Sequence, residues 1–333
     1  NPFFDEVMAY SSYEYHFGTL KEDVTGYKAL LIQWPEQLFN WVEPTDEQLD
    51  FLKQQILRWK KQLKIVYVVH NEQRHYGMTP RFEKLYELVL RNCDVMVHLG
   101  KYSLEKYNVK FPNVLHQYIP HPMYSNSFKQ FDKNFSREQL GIVQDKQVVV
   151  VPGTIRSLEE RDLILTAFNS LKLKNKFLLV PNMYKKEANV EFRGRYRLKK
   201  LVDIKKVLEY FYNQDYFKRY QFEYGFTNID RLSLMMSASD IVFIPRIDAL
   251  NSGNVFLGLT YKKVVVGPAI GNIKEVLDKF RLPIFNPNDM HSVCSALHKG
   301  FELERAYTYK EHEISQFYPS NIAKQWDDLI NML

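Results

Sequence analysis

Residues 239–277 constrain the fold more than any other stretch of this chain, because strand and helix patterns alternate there twice in succession. Residues 240–245 form a short apolar run rich in β-branched side chains, which is typical of a fully buried parallel strand. A helical apolar run follows at 255–261, and residues 264–266 have the pattern of a second buried strand. The alternation predicts an α/β fold with a parallel sheet.

The loop before the first of these helices ends in small polar residues, Asn251, Ser252, Gly253 and Asn254. Such residues favour helix N-caps, and glycine allows another group to approach the backbone closely. The N–H groups and the dipole of a helix N-terminus favour anions, so the loop predicts a phosphate site at the end of a buried strand. An ordinary βαβ connection with good caps explains the same residues equally well.

The composition narrows the class of protein. A length of 333 residues suits two domains, and 45% hydrophobic with 25% charged residues is a globular composition. Cys93 and Cys294 lie far apart in apolar surroundings, which favours a reducing cytosol over a disulfide framework or a zinc site. No apolar run reaches the roughly 20 residues that span a bilayer, and no signal peptide is recognisable.

The net charge of +6 suits phosphate-bearing ligands or an anionic membrane surface. Nucleic acid is not expected as a partner, because no long basic run or nucleic-acid module is present. Arginine and lysine do crowd into residues 193–206. A solvated helix face is the commoner explanation of such a stretch, and a patch that faces a membrane or an acceptor is the alternative.

Strand and helix patterns restart near residue 147, after an irregular polar stretch. We therefore predict a first Rossmann-like domain over 1–140, with its opening strand expected upstream, and a linker within 125–145. A second Rossmann-like domain is predicted over 141–312, and C-terminal helices over 313–333 are expected to cross back to the first domain.

Two such domains place the carboxyl ends of their strands on either side of a cleft, where ligands of open α/β sheets bind. Arg156 and Arg246 follow predicted strands and offer planar bidentate donors to phosphate, although salt bridges explain arginines equally well. No metal-ligand spacing, P-loop or serine nucleophile elbow accompanies them. The other polar residues directly after predicted strands are Gln33, His70, Asn71, His121, Asn251, Ser252 and Asn272.

Several short motifs resemble those of GT-B glycosyltransferases of the family-4-like superfamily, the glycosyl transferases group 1. Residues 222–226 and 238–245 are similar to the family's strand, glycine and Ala-Asp-hydrophobic-Pro run. Residues 153–156 resemble its Gly-x-x-Arg phosphate loop, and 271–276 resemble its Gly-Gly-x-x-Glu-Val loop. Residues 251–254 stand where the family's Glu-Gly-Phe-Gly turn binds the donor diphosphate and sugar.

In the first half, Trp34-Pro35-Glu36 and His70-Asn71-x3-His75 resemble signatures of bacterial polysaccharide transferases in this group. The motifs cover essentially the whole chain, and their order is more specific than any one of them. The resemblance implies a GT-B fold, in which two Rossmann-like, doubly wound parallel-sheet domains face a cleft. It also implies a metal-independent, hexosyltransferase-like enzyme that uses a UDP- or GDP-sugar as substrate and no cofactor.

The resemblance further implies roles for individual residues. Glu275 would hold the nucleotide ribose. Its partners at the donor site would be Gly153, Arg156, Arg246, Asn251, Ser252, Gly253, Asn254 and Asn272. A transferase also needs a carboxylate or imidazole to deprotonate the acceptor hydroxyl, and the catalytic candidates are Glu36, His70, Glu72 and His75. A contact to a donor-sugar hydroxyl is the alternative role of His70. The candidate acceptor or sugar contacts are Trp34, Asn71 and His121.

The chain departs from the family at two places. The family's Glu-x7-Glu pair is absent, since Leu250 and Gly258 stand near its positions. Glu159 and Glu160 follow the phosphate loop where the family has a lysine, so Arg246 or Arg161 would have to substitute for it. These losses put in question the retaining mechanism typical of the family and fit a divergent subgroup, with inversion as the alternative outcome.

The implied activity is transfer of a sugar from a nucleotide-diphosphate sugar to a hydroxyl of a glycan or glycolipid, in polysaccharide or cell-surface glycan synthesis. The expected location is the cytoplasm, including the inner face of the cell membrane. A sugar-nucleotide epimerase or hydrolase with the same fold is one alternative. The others are a non-catalytic module that binds anionic polymer through residues 193–206, and an inactive transferase.

Overall fold

The computed structural model describes residues 2–74, 77–184, 219–225 and 227–333. Within these ranges the chain forms two parallel sheets, one of four and one of six strands. The predicted α/β class with two parallel sheets is confirmed. We call the parts built on the two sheets the first half and the second half, and the domain boundaries near 140 and 312 remain predictions.

The described elements are numbered along the chain. The strands are β1 (Ala29–Ile32), β2 (Lys64–Val69), β3 (Val95–His98), β4 (Leu115–Tyr118), β5 (Gln147–Val150), β6 (Lys176–Val180), β7 (Tyr220–Phe222), β8 (Ile241–Phe243), β9 (Val264–Pro268) and β10 (Ile284–Phe285). The helices are α1 (Pro2–Met8), α2 (Asp46–Trp59), α3 (Pro80–Asn92), α4 (Lys101–Lys110), α5 (Lys133–Gln139), α6 (Leu158–Ser170), α7 (Ile229–Ala238), α8 (Gly253–Thr260), α9 (Gly271–Lys279), α10 (Met290–Glu304), α11 (Glu311–Ile314) and α12 (Pro319–Met332). Short 3₁₀ helices span Pro35–Phe39 and Ser315–Phe317.

The first sheet runs in the order β1-β2-β3-β4, so each crossover advances the sheet in the same direction. Parallel crossovers are right-handed, and a sheet wound in one direction therefore carries its connecting helices α2, α3 and α4 on one face. The side chains of Ile65, Tyr67 and Met96 point to this face and pack with Leu52 of α2 and Leu85 of α3. Alternate residues along each strand must then face the opposite side.

The opposite face of the first sheet is covered by α1 and α12. Val66 and Val97 pack there against Phe3 of α1 and Trp326 of α12, and the Trp326 side chain is fully buried. Ser11, three residues after the end of α1, donates a hydrogen bond to Asp327 at 2.5 Å and joins the two terminal segments. The second helical layer of this sheet thus comes from residues more than 300 positions apart.

The second sheet runs in the order β10-β9-β8-β5-β6-β7 and is doubly wound. The chain builds outward from β5 to β6 and β7, and then returns to pair β8 with β5 on the other side. Val149 and Val150 of β5 pair with Ile241 and Val242 of β8. The carboxyl ends of β5 and β8 are therefore neighbours at a topological switch point, which is the usual ligand position in such sheets.

The predicted linker within 125–145 is wrong in part, because residues of this stretch form helix α5. Arg137 of α5 is buried and binds both carboxylate oxygens of Asp240, at 3.1 and 3.0 Å. Asp240 also accepts a hydrogen bond from the N–H of Val148 at 2.6 Å, between the amino ends of β5 and β8. These polar contacts hold α5 against the second sheet. The composition of residues 125–145 alone could not predict them.

Local motifs mark the starts of several helices in the described ranges. Thr45 and Gln48 form a capping box at the start of α2. The Asn228 side chain caps α7, and Pro80 is the first residue of α3. None of the helices in the described ranges is long and apolar enough to cross a membrane. The basic stretch 193–206 lies outside the described residues.

Candidate functional site

A cleft of about 860 Å³ opens beside the switch point and is lined by both halves of the chain. From the first half, Asn71, Glu72, Gln73, Arg74, Tyr102 and Lys106 line it. From the second half, Arg156, Ser157, Glu159, Glu160, Ile247, Asp248, Ala249, Leu250, Ala269, Ile270, Gly271 and Lys274 line it. The volume is within the range of small-molecule sites. The predicted residues Asn71, Glu72 and Arg156 therefore share one cavity.

The loop after β5 is held against the N-terminus of α8. Gly153 has φ +84°, a left-handed conformation that favours glycine, and a Cβ there would lie 2.4 Å from Nδ2 of Asn254. Asn254 Nδ2 donates a hydrogen bond to the carbonyl of Pro152 at 2.8 Å. The structure thus brings the predicted residues Gly153, Asn254 and Gly253 together at the switch point. Ser252 is the N-cap residue of α8, but its side chain makes no capping hydrogen bond.

Arg246 lies in a salt bridge, the alternative to phosphate binding that the sequence left open, and the ion pair is buried. Its Nη1 binds the two carboxylate oxygens of Glu160 at 2.9 and 2.7 Å, and its guanidinium also donates to the carbonyl of Thr154. Both side chains of the pair are almost fully buried. Arg246 therefore braces the loop that carries Arg156, instead of presenting its charge to the cleft as expected.

Arg156 is in a different situation from Arg246. The backbone N–H of Arg156 donates to Oε2 of Glu160 at 2.8 Å, so the same carboxylate binds the backbone of Arg156 and the guanidinium of Arg246. Arg156 is partly exposed and lines the cleft. Of the two predicted phosphate-binding arginines, Arg156 is the one that lines the cleft, and its phosphate contact stays a prediction.

Glu275, predicted to hold a ribose, is bound to the first half of the chain. Its Oε2 accepts hydrogen bonds from the N–H groups of Lys101 and Tyr102 at 2.6 and 3.2 Å, at the start of α4. Asn272 is buried, and its Oδ1 accepts from the N–H of Ser103 at 3.0 Å. Both side chains are engaged by protein groups, which corrects the expectation that they face a nucleotide.

Asn251 also joins the two halves. Its Nδ2 donates to the carbonyl oxygens of His70 at 2.8 Å and Val69 at 3.2 Å, while its Oδ1 accepts from Nδ2 of Asn272 at 2.8 Å. Gly271 makes this approach possible, since it has φ +48° and a Cβ there would lie 2.7 Å from the carbonyl oxygen of Leu250.

His70 lies at the end of β2 among aromatic rings. The Trp34 ring stacks on it with centroids 4.7 Å apart and an interplanar angle of 12°, and Phe3 contacts it edge-on. Trp41 lies 6.0 Å from Trp34 and is 48% exposed. Asn40 and Trp41 have φ of 52° and 67°, a left-handed conformation that non-glycine residues rarely adopt. The sequence reasoning missed Trp41, whose signal in the sequence is a second tryptophan seven positions after Trp34.

The predicted acceptor contact His121 is buried away from the cleft. Its ring stacks on Phe256 at 4.5 Å, its Nδ1 hydrogen-bonds the carbonyl of Pro122, and the Tyr124 hydroxyl reaches its Nε2. Burial lowers the pKa of His121 to about 4, which keeps the imidazole neutral. The structure corrects the prediction, because His121 packs under the N-terminus of α8.

The four predicted catalytic candidates do not share one environment. Glu36 is buried and accepts a hydrogen bond from the Tyr86 hydroxyl at 2.8 Å, and burial together with Glu36 raises the pKa of Tyr86 above its ordinary value. A carboxylate so enclosed holds the segment after β1 in place and does not reach the cleft, contrary to the prediction. His75 lies outside the described residues.

Glu72 lines the cleft and forms an ion pair with Lys106 at 2.5 Å, a contact that raises the pKa of Lys106. The Arg74 guanidinium lies 4.1 Å from the centroid of the Phe82 ring. Arg74 and Lys106 add cationic groups to the cleft wall opposite Arg156, and the sequence reasoning did not select them. Among the described residues no group of His, Cys, Asp and Glu could hold a metal ion.

Solved structures of other proteins match the fold of this chain. HepE from Anabaena, solved with UDP-glucose, matches with a TM-score of 0.64 and 14% identity over 87% of this chain and 77% of that one. Sucrose-phosphate synthase from Thermosynechococcus elongatus matches with a TM-score of 0.58 and 13% identity over 92% and 70%. The fold is GT-B. A UDP-forming α,α-trehalose-phosphate synthase from Burkholderia xenovorans is a further GT-B neighbour, with a TM-score of 0.56 and 13% identity over 90% and 75%.

No protein-family model matches the sequence, and no curated protein matches it. The resemblance inferred from short motifs is thus confirmed at the level of the GT-B fold. Identities of 11–14% fit a divergent member of this structural class.

Proposed function

We propose that this chain is a glycosyltransferase that moves a sugar from a nucleoside-diphosphate sugar, a UDP- or GDP-sugar, to a hydroxyl group of a glycan or lipid-linked saccharide. The observation that carries the proposal is the 860 Å³ cleft, which lies between two parallel sheets at the switch point of the second. A protein of the same fold has been solved with UDP-glucose. Fold alone does not assign function, so the side chains of the cleft carry the rest of the argument.

The diphosphate is proposed to bind between Arg156 and the N-terminus of α8. Departure of a nucleoside diphosphate builds negative charge, which fixed cationic groups and helix N–H groups stabilise without reorganising. Gly153 and Asn254 hold these two elements together. Arg74 and Lys106 supply positive charge from the opposite wall. We propose a metal-independent reaction, in which these groups stabilise the negative charge that a metal cation would otherwise stabilise.

Deprotonation of the acceptor hydroxyl needs a base. Among the predicted catalytic residues that the structure describes, Glu72 lines the cleft, and Glu72 is therefore the proposed base. Binding of the donor phosphates would compete for Lys106 and release the Glu72 carboxylate from its ion pair. His70 lies directly before this loop and is held by Trp34, so its proposed role is to orient the donor sugar.

The acceptor is proposed to be a saccharide that stacks on Trp34 and Trp41. Aromatic rings bury large apolar areas, and the exposed face of Trp41 suits the apolar face of a sugar ring. The left-handed backbone of Trp41 costs about 1–2 kcal/mol, and such strain in a bulky residue clusters at ligand-binding positions. A role in polysaccharide synthesis at the inner face of the cell membrane fits the net charge of +6.

Thermal unfolding with UDP, GDP, ADP, CMP and their sugar conjugates tests the proposal. A ligand that binds the folded protein raises its stability by about 2.7 kcal/mol at 100 times its dissociation constant. Stabilisation by one nucleoside diphosphate and its sugar conjugate is expected, and no stabilisation at millimolar ligand would refute the proposal. Product analysis with and without a saccharide acceptor then separates transfer from hydrolysis or epimerisation.

A further inference from the structure

The first turn of α4 in the first half is capped by side chains of the second half. The N–H groups of Lys101 and Tyr102 donate to Glu275, and the N–H of Ser103 donates to Asn272. The first N–H groups of a helix have no partner within the helix and are normally capped by nearby residues. Here the caps come from about 170 residues further along the chain, so this helix start is complete only while the two halves are together.

Gly100, the N-cap residue of α4, leaves the space for this contact. A Cβ at Gly100 would lie 2.3 Å from Cγ of Asn272 and 2.4 Å from its Oδ1. Asn272 is buried and bonded on all sides, so it could not move aside without losing its hydrogen bonds. The two halves can therefore approach this closely only because residue 100 has no side chain.

The contact continues to the candidate site. Asn272 donates to Asn251, and Asn251 donates to the carbonyl oxygens of Val69 and His70 at the end of β2. Asn251 directly precedes the N-cap of α8. One chain of hydrogen bonds thus sets the position of His70 relative to the α8 N-terminus, the two groups proposed to contact the donor.

We propose that Glu275, Asn272 and Asn251 are positioning residues that form a latch, which holds the two halves closed and aligns the first-half residues with the donor bound on the second half. The assignment rests on the proposed transferase function. It replaces the ribose contact expected for Glu275, and the two roles make different predictions. A ribose contact contributes to nucleotide affinity, whereas a latch contributes to the alignment needed for the reaction.

Small-angle X-ray scattering of the full chain without ligand tests the latch directly. Glu275→Ala removes the acceptor of the Lys101 and Tyr102 N–H groups, and Gly100→Ala adds one methyl group at the contact. Both variants are expected to have a larger radius of gyration than the wild type. Asp278→Ala is the matched control, because it removes a carboxylate one turn further along the same helix. The Asp278 carboxylate forms an ion pair with Lys274 of its own helix. Folded Glu275→Ala and Gly100→Ala proteins with wild-type scattering would overturn the proposal.

Titration calorimetry with UDP and with GDP, combined with transfer kinetics, separates the two roles of Glu275. For a latch, Glu275→Ala keeps the Kd of the nucleotide within about twofold of the wild type, while kcat falls on the order of 100-fold through misalignment. Glu275→Gln, which keeps one acceptor oxygen, is expected to recover part of kcat. A large loss of nucleotide affinity with unchanged kcat would overturn the latch in favour of the ribose contact. A wild-type protein without transfer activity would refute the proposed function, while the scattering data would still decide whether the latch exists.

Discussion

Two buried histidines are expected to make the stability of this protein strongly dependent on pH. His98 is fully buried between His116 and Ser103, and burial together with His116 lowers its pKa to about 3. His121 is buried against Phe256, and burial lowers its pKa to about 4. Both imidazoles are therefore neutral in the folded protein at pH 5, whereas in the unfolded chain they titrate near pH 6.5.

The sign and size of the effect follow from this difference. Below about pH 6.5 the unfolded chain binds protons that the folded protein does not, so the free energy of unfolding falls as the pH falls. For a folded pKa of about 3 or 4, each histidine costs about 2 kcal/mol of stability between pH 7 and pH 5. Together His98 and His121 account for a loss of about 4 kcal/mol, a large part of a typical folding free energy.

Urea unfolding at pH 5, 6 and 7 measures this loss. His121→Asn retains a side-chain donor for the carbonyl of Pro122 but cannot titrate, so it should lose about 2 kcal/mol less than the wild type between pH 7 and pH 5. His16→Asn, which removes an exposed imidazole, is the control. A His121 imidazole whose NMR signals titrate near pH 6.5 in the folded protein would refute the reasoning.

Three substitutions test the contacts of the site and the core. Arg246→Ala should destabilise the protein by about 3–5 kcal/mol because it leaves Glu160 buried without its cation, and replacing both residues by Met should recover most of this loss in urea unfolding. Arg156→Ala should leave stability within about 0.5 kcal/mol but weaken UDP or GDP binding in calorimetry, and unchanged affinity would contradict its assignment. Trp41→Ala should raise the KM for the saccharide acceptor about tenfold, with Trp41→Phe close to wild type, and leave the Kd of the nucleotide unchanged.

Much of the fold could be predicted because its signals are local. The capping box at Thr45, the proline that starts α3 and the apolar runs of the strands lie within single elements. The strand-end loops around Gly153 and Asn251 were predicted for the same reason, since glycine and small polar residues mark close approaches in the sequence itself.

The partners of the charged residues could not be predicted, because they are set by contacts between distant parts of the chain. Arg246 and Glu160 are 86 residues apart, and Glu275 and Lys101 are 174 apart. A carboxylate that caps a helix and one that binds a ribose have the same residue type and follow the same kind of strand. Only the packing of the two halves distinguishes these two roles, and in this structure it makes Glu275 a helix cap.

The position of α12 has a consequence for how the chain folds during synthesis. The face of the first sheet that contains Val66 and Val97 is covered by Trp326 and its neighbours, which the ribosome makes long after β4 is complete. At about 5–20 residues per second, the intervening stretch takes on the order of 10–40 s to synthesise. During that time the part of this apolar face that α1 does not cover is exposed to other chains. We therefore expect nascent chains that stop before residue 319 to bind chaperones or aggregate, even though their first sheet contains all four strands.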